Sequence, residues 1–202
     1  MYYLVNEWSL DDERLRKDLK QIGLPIQSLQ LENILDSIFF NQKVDSPLHM
    51  TSLPLPPFWE VYANGDIVSD GMKRGKIDCF QDRPQRVKKV DWYDPDGHCS
   101  VSDHYDRSGS LFLKEVWSAD ERHLSIYTND RMGKLCLFHQ HDRAIYQAID
   151  GLEQGFSSIE DAKKALLQEA LLQAETVFLS DTELLKALPK LEKEHIIFYG
   201  RS

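Results

Sequence analysis

The stretch from Val90 to Trp117, VDWYDPDGHCSVSDHYDRSGSLFLKEVW, repeats itself. Tyr93-Asp94-Pro95-Asp96-Gly97 returns as Tyr105-Asp106-Arg107-Ser108-Gly109, each time followed by a short, apolar-rich stretch. A tight turn accounts for the unit. Asp suits the first position of a type I turn, where its carboxylate accepts a nearby backbone N–H. Pro presets φ at the second position, and Gly at the fourth tolerates positive φ. Each interval between turns holds one strand, and tight turns join antiparallel strands. The stretch therefore predicts a β-meander with one strand per repeat.

The series continues less regularly through Trp117-Ser118-Ala119-Asp120 and Tyr127-Thr128-Asn129-Asp130-Arg131-Met132-Gly133. Leu111 and Leu113, Leu124 and Ile126, and Leu135 and Leu137 each share a strand face by their spacing of two. Phe112, Val116, Cys136 and Phe138 are assigned to the other face, which is therefore apolar as well. Such a sheet wants cover on both sides, from this chain or from a partner. Asn64-Gly65 is a hairpin signal and predicts a type I′ turn at the start of the same meander.

The flanks read differently. Tyr2–Val5 is a short strand. Ser9 caps a helix with Leu15, Leu19 and Ile22 on one face, and Gly23 stops it. A second extended segment lies near Pro25–Leu31. The prolines of Leu53-Pro54-Leu55-Pro56-Pro57 then break regular structure. After Asp150-Gly151, Ser157 or Ser158 caps a helix with apolar Ile159, Ala162, Leu166, Ala170 and Leu171. Thr176–Leu179, Thr182–Leu188 and His195–Tyr199 follow as strand, helix and strand, a parallel βαβ unit. The fold expected is α/β interrupted by a meander, with residues 1–52 and 149–202 in the α/β part and 53–148 in the insertion.

The chain of 202 residues carries 33 acidic and 24 basic residues, a net charge of −9, which opposes nucleic acid or anionic lipid as the main partner. Arg83, Arg86, Lys88 and Lys89 read as a charged strand edge in preference to a phosphate site. No signal peptide or membrane-spanning run is visible. Cys79, Cys99 and Cys136 lack CxxC spacing and read as reduced thiols of a cytosolic protein.

Chemistry is sparse. There is no glycine-rich phosphate loop and no HExxH. His139-Gln140-His141-Asp142 could present two imidazoles on one strand face, but no third ligand is placed, so no metal is expected. His98, His104 and His123 read as surface residues near turns. Turn formation accounts for Asp94, Asp96, Asp103 and Asp106 without acid–base catalysis. Trp92, Tyr93, Tyr105, Trp117 and Tyr127 are the informative set, either as cross-strand packing or as a surface for sugar or peptide.

LPLPPFWEVYANG, RVKKVDWYDPDG and DHYDRSGSLF, with the opening MYYLVNEWSLDDERLRKDLKQIGLP, resemble the N-terminal region of the glycosyltransferase-stabilising subunit of the accessory Sec system. The resemblance covers roughly residues 1–140 and is most specific at Pro-Pro-Phe-Trp-Glu and Val-Asp-Trp-Tyr-Asp. It implies a GT-B-like fold whose first Rossmann-like half carries an extended β-sheet insertion. It implies a non-catalytic subunit that pairs with a catalytic glycosyltransferase and helps hold a Ser/Thr-rich acceptor polypeptide. That complex adds N-acetylglucosamine to serine-rich-repeat adhesins in the cytosol of Gram-positive bacteria before export. Trp92, Tyr93, Tyr105, Phe112, Val116, Trp117 and Tyr127 are then the candidate acceptor- or partner-binding residues. Peripheral association with the inner face of the membrane and self-association through the meander belong to the same set of expectations. Ser202 closely follows a predicted strand, as expected of an excised or shortened relative. No donor site would then be complete, and no cofactor or UDP-sugar is expected to bind. Two alternatives stay open: the acceptor side of an active GT-B enzyme of the wall teichoic acid type, and an accessory Sec transport component.

Overall fold

The computed structural model describes residues 2–5, 27–30, 34–40, 46–118, 122–130, 132–172, 177–179 and 196–198. They fall into two compact units: residues 1–38 with 160–202, and residues 39–159. The expected helices at Ser9–Gly23 and Thr182–Leu188 lie outside the described residues.

The first unit holds a four-stranded sheet of β1 (Tyr2–Val5), β2 (Gln27–Gln30), β13 (Val177–Leu179) and β14 (Ile196–Phe198), ordered β14-β13-β1-β2. All three pairings are parallel. Helix α1 (Ile34–Phe39) buries Ile34, Leu35 and Ile38. Helix α2 (Ile159–Leu172) buries Ala162, Leu166, Leu167, Ala170 and Leu171 along one stripe, as its helical spacing requires. The N–H of its first residue, Ile159, donates to the Asp142 carboxylate at 3.1 Å.

The second unit is a ten-stranded antiparallel sheet. Its strands are β3 (Glu60–Val61), β4 (Asp66–Ser69), β5 (Met72–Phe80), β6 (Arg83–Tyr93), β7 (Cys99–Tyr105), β8 (Leu111–Trp117), β9 (His123–Asn129), β10 (Gly133–Phe138), β11 (Arg143–Gln147) and β12 (Glu153–Phe156). Their spatial order is their chain order, so every neighbour is joined by a hairpin. The sheet runs on through Phe156 because β12 pairs with β11, and the compact unit accordingly closes at Ile159.

The aromatic-Asp-x-x-Gly turns form as their chemistry dictates. Gly97 N–H bonds Asp94 C=O and Asp94 N–H bonds His98 C=O; Gly109 and Asp106 repeat this with Ser110. Each Asp carboxylate takes two further backbone N–H groups, those of Asp96 and His98 or those of Ser108 and Ser110. Gly97 and Gly109 both stand at φ 86°, where a Cβ is disfavoured.

The expected type I′ turn at Asn64-Gly65 is corrected. Gly65 has φ 87°, but Asn64 is not among the positive-φ residues. Gly65 N–H bonds Tyr62 C=O and Tyr62 N–H bonds Asp66 C=O, the same pattern as at Asp94 and Asp106. The two-residue turn lies one hairpin later, at Asp70-Gly71, where both residues have positive φ (52° and 73°) and Ser69 pairs with Met72.

Segment 48–59 covers one end of the sheet. Leu53 joins Ile67, Ile77, Val87 and Val90 in a buried cluster, with Leu48, Met50, Leu55, Trp59, Trp92 and Tyr105 packed around it. Among the described residues no helix is long and apolar enough to cross a membrane.

Candidate functional site: two faces of the meander

The register sorts the side chains of β6 to β11. Asp91, Ser102, Glu115, Ser125 and Leu137 are mutual partners across five strands and share a face. Leu113, Ser125, Leu135, Leu137, Ala144 and Tyr146, all on this face, are buried. The opposite face of β7 to β11 carries Val101, Val116, Leu124, Ile126, Cys136, Phe138 and Ile145. None of these is buried, and Phe138 and Ile145 are 36% and 43% exposed. The meander therefore has one closed face and one apolar face that is half open over β8 to β11.

The predicted residues divide between these environments and do not converge on one site. Trp92 lies on the face of Val90 and Val116, packs against Trp59 at 6.4 Å, and its Nε1–H donates to Asp103 at 2.8 Å. Lys114 lies 3.1 Å from the other oxygen of Asp103, an ion contact without hydrogen-bond alignment. Tyr93, at the end of β6, has the Lys73 ammonium 5.5 Å from its ring centre. Tyr105 joins the apolar cluster under segment 48–59; burial first, and Asp103 second, push its phenol up to about 12. Tyr127 lies on the closed face, its ring 5.3 Å from Phe39.

Phe112 and Val116, which alternation assigns to one face, differ in cover. Phe112 is 7% exposed and meets Phe40 edge-on at 5.2 Å, and Phe40 in turn meets Phe80. Phe39-Phe40 therefore closes over this end of the sheet, which strand alternation alone cannot reveal. Val116 remains half-buried on the apolar face.

Two histidine expectations are corrected as well. His98 is exposed, but His104 and His123 are half-buried and converge on Glu115. His104 Nε2 is 2.9 Å from one carboxylate oxygen and His123 Nε2 3.2 Å from the other. The hydrogen bond from His104, and secondarily the charge and bond of His123, hold the Glu115 carboxyl below its ordinary range. Trp117 stacks on His123 at 5.2 Å, and His123 stacks on His139 at 4.2 Å. His139 Nε2 is 2.8 Å from the buried Ser125 hydroxyl. His139 to His141 form a 3-10 turn and not a strand, so the two imidazoles of that motif do not share a strand face.

This network suits positioning better than catalysis. Ser125 and Glu115 both approach His123 through the same nitrogen, whereas a Ser–His–acid relay needs both ring nitrogens. Among the described residues no group of three or more His, Cys, Asp or Glu is arranged to hold a metal. The network was hidden in the sequence because the pairings Glu115↔Ser125 and Trp117↔His123 depend on register.

A family model of the GtfB middle domain matches residues 59–156, the span from the residue before β3 to the end of β12. Over that span, just under half of the chain, the sequence is similar to the GtfB middle domain. The stabilising protein GtfB of the UDP-N-acetylglucosamine–peptide N-acetylglucosaminyltransferase of Streptococcus gordonii is 32% identical over 102 residues, 48% of this chain and 23% of that protein. The Streptococcus parasanguinis protein of the same name is 33% identical over 144 residues, 63% of this chain and 32% of that protein. The chain thus spans well under half the length of these relatives. In the solved GtfA/B complex bound to UDP and GlcNAc, one chain superposes with a TM-score of 0.69, at 21% identity, over 100% of this chain and 50% of that one. A chain of the complex of accessory secretory proteins 1, 2 and 3 of Streptococcus pneumoniae superposes with a TM-score of 0.67 at 10% identity, over 98% of this chain and 51% of that one. These two likenesses establish a shared fold.

Proposed function

We propose that this chain is the meander-bearing part of a non-catalytic stabilising and acceptor-binding subunit of a bacterial protein O-glycosyltransferase complex. The observation that carries the reading is the GtfB middle-domain match over residues 59–156, joined to relatives named for stabilising an N-acetylglucosaminyltransferase. The parallel order β14-β13-β1-β2 supports a Rossmann-like half of a GT-B fold around the insertion. The partner is a catalytic glycosyltransferase subunit, and the acceptor is a Ser/Thr-rich adhesin polypeptide modified in the cytosol before export.

Association with the catalytic subunit uses the open apolar face around Val116, Leu124, Ile126, Phe138 and Ile145. Leaving such a face in water forgoes about 25 cal/mol for each Å² of apolar surface that a partner would cover. Phe112 serves the core. Of the aromatic set, Tyr93 and Trp117 are half-buried at strand ends and remain candidates for contact with the acceptor.

Co-expression with the cognate catalytic subunit, followed by size-exclusion chromatography, tests the reading. The two chains are expected to co-elute, and the soluble yield of the catalytic subunit is expected to rise. Val116→Ser with Ile145→Ser should weaken co-elution while circular dichroism stays unchanged. A wild-type chain that elutes alone, or that recovers a transport motor from cytosol in place of a glycosyltransferase, would overturn it.

A further inference from the structure

Phe58 occupies a backbone position that suits glycine, and its side chain is almost wholly exposed among the described residues. Trp59 N–H bonds Pro56 C=O at 3.3 Å, so Pro57 and Phe58 are the central residues of a turn. Phe58 stands at φ 70°. Pro followed by a positive-φ residue is type II turn chemistry, in which the second central position takes Gly or Asn because a Cβ crowds the backbone there. A bulky aromatic in that place is strained. Burial could compensate, but Phe58 is 95% exposed. Its neighbours show that the segment itself is anchored. Leu53 is buried in the apolar cluster, Leu55 and Trp59 pack against it, and Trp59 also meets Trp92. The turn holds Phe58 outward on a fixed base, flanked by exposed Pro54, Pro56 and Pro57.

From Ser46 to Trp59 there is no Asp, Glu, Lys or Arg. The projection is therefore apolar, rigid and uncharged. Anionic lipid is a poor match, because the segment lacks the cations that draw a protein of net charge −9 to such a surface. An apolar pocket on a folded protein is the matching shape: a rigid aromatic anchor loses little conformational freedom on docking. We infer that Phe58, on its proline-stiffened turn, is an anchor that inserts into an apolar pocket of the catalytic glycosyltransferase subunit. The identity of that partner rests on the function proposed above.

The test compares Phe58→Gly, Phe58→Asn and Phe58→Tyr in the full chain, by thermal unfolding of the free protein and by affinity for the cognate catalytic subunit. Gly and Asn tolerate positive φ, so those variants are expected to melt at the wild-type temperature or higher. Both are expected to bind the catalytic subunit at least about tenfold more weakly, the order seen for aromatic anchors. Phe58→Tyr keeps both ring and strain and should bind like wild type. Unchanged affinity in Phe58→Gly would overturn the inference while leaving the proposed function intact. A lower melting temperature in Phe58→Gly would overturn it by showing that the ring packs within this chain. Binding to phosphatidylglycerol vesicles that depends on Phe58 would overturn it in favour of a membrane contact. A wild-type chain that does not bind the catalytic subunit would overturn the functional reading and this inference together.

Discussion

The turns at Asp94–His98 and Asp106–Ser110 share their backbone hydrogen bonds, their carboxylate contacts and their glycine φ, yet they sit in different surroundings. At Gly97 an added Cβ would meet nothing within 4 Å. At Gly109 it would come within 2.5 Å of the Leu48 nitrogen and 2.6 Å of the Ser46 oxygen. The second turn is docked against segment 46–48, which itself joins β6 through Val87 N–H to Leu48 C=O and the bridge of His49 to Arg86. The first turn stands in solvent. Asp106 is accordingly 3% exposed, whereas the Asp94 side chain is 35% exposed. The comparison teaches that a local motif selects its own conformation, while its energetic weight is set by what docks on it.

Substitution should separate the two turns. Gly109→Ala combines a positive-φ penalty of about 1–2 kcal/mol with overpacking against backbone of about 1–3 kcal/mol, so it should cost about 3 kcal/mol in urea unfolding. Asp106→Ala leaves buried N–H groups without their acceptor and should cost about 2 kcal/mol. Gly97→Ala carries the conformational penalty alone and should cost about 1 kcal/mol. Asp94→Ala, whose partners can turn to water, should cost less than Asp106→Ala, at about 0.5–1 kcal/mol. Equal losses for Gly97→Ala and Gly109→Ala would break the comparison, because the docked turn would then have no extra constraint.

A third turn of the same form sharpens it. At Tyr62–Asp66 the carboxylate follows the turn instead of opening it. The Lys73 ammonium first, then the Asn64 amide and Lys76, hold Asp66 down to about 2. A depressed carboxyl contributes stability that is fully present above its unfolded value, near 3.8, and lost as pH falls through about 2. The stability gap between wild type and Asp66→Asn should therefore close between pH 4 and pH 2. A gap that is constant over that range would show that the Lys73 contact is screened by solvent in the folded protein.

Much of the meander was legible because hairpin chemistry is local. Asp-Pro-Asp-Gly and Asp-Arg-Ser-Gly state their turn type within a few residues, and alternation states the strands between them. The flanking strands Tyr2–Val5 and those near residues 27–30, 177–179 and 196–198 were legible for the same reason. Asn64-Gly65 misled because the dipeptide fits two hairpin geometries. The count of residues between paired positions selects one of them, and pairing is a property of both strands.

The sequence by itself determined the turns and the strand order that short turns impose. Each rests on backbone preferences or motifs within a few residues. Only the tertiary structure decided which side chains are covered. Phe112 was taken inside by Phe40, a long way off in the chain. His104, Glu115, His123 and His139 met across separate strands and a turn. Phe58 was left outside while Trp59, its neighbour, turned in. Burial depends on which distant segments pack together, and alternation within one strand names the two faces without saying which of them will be closed.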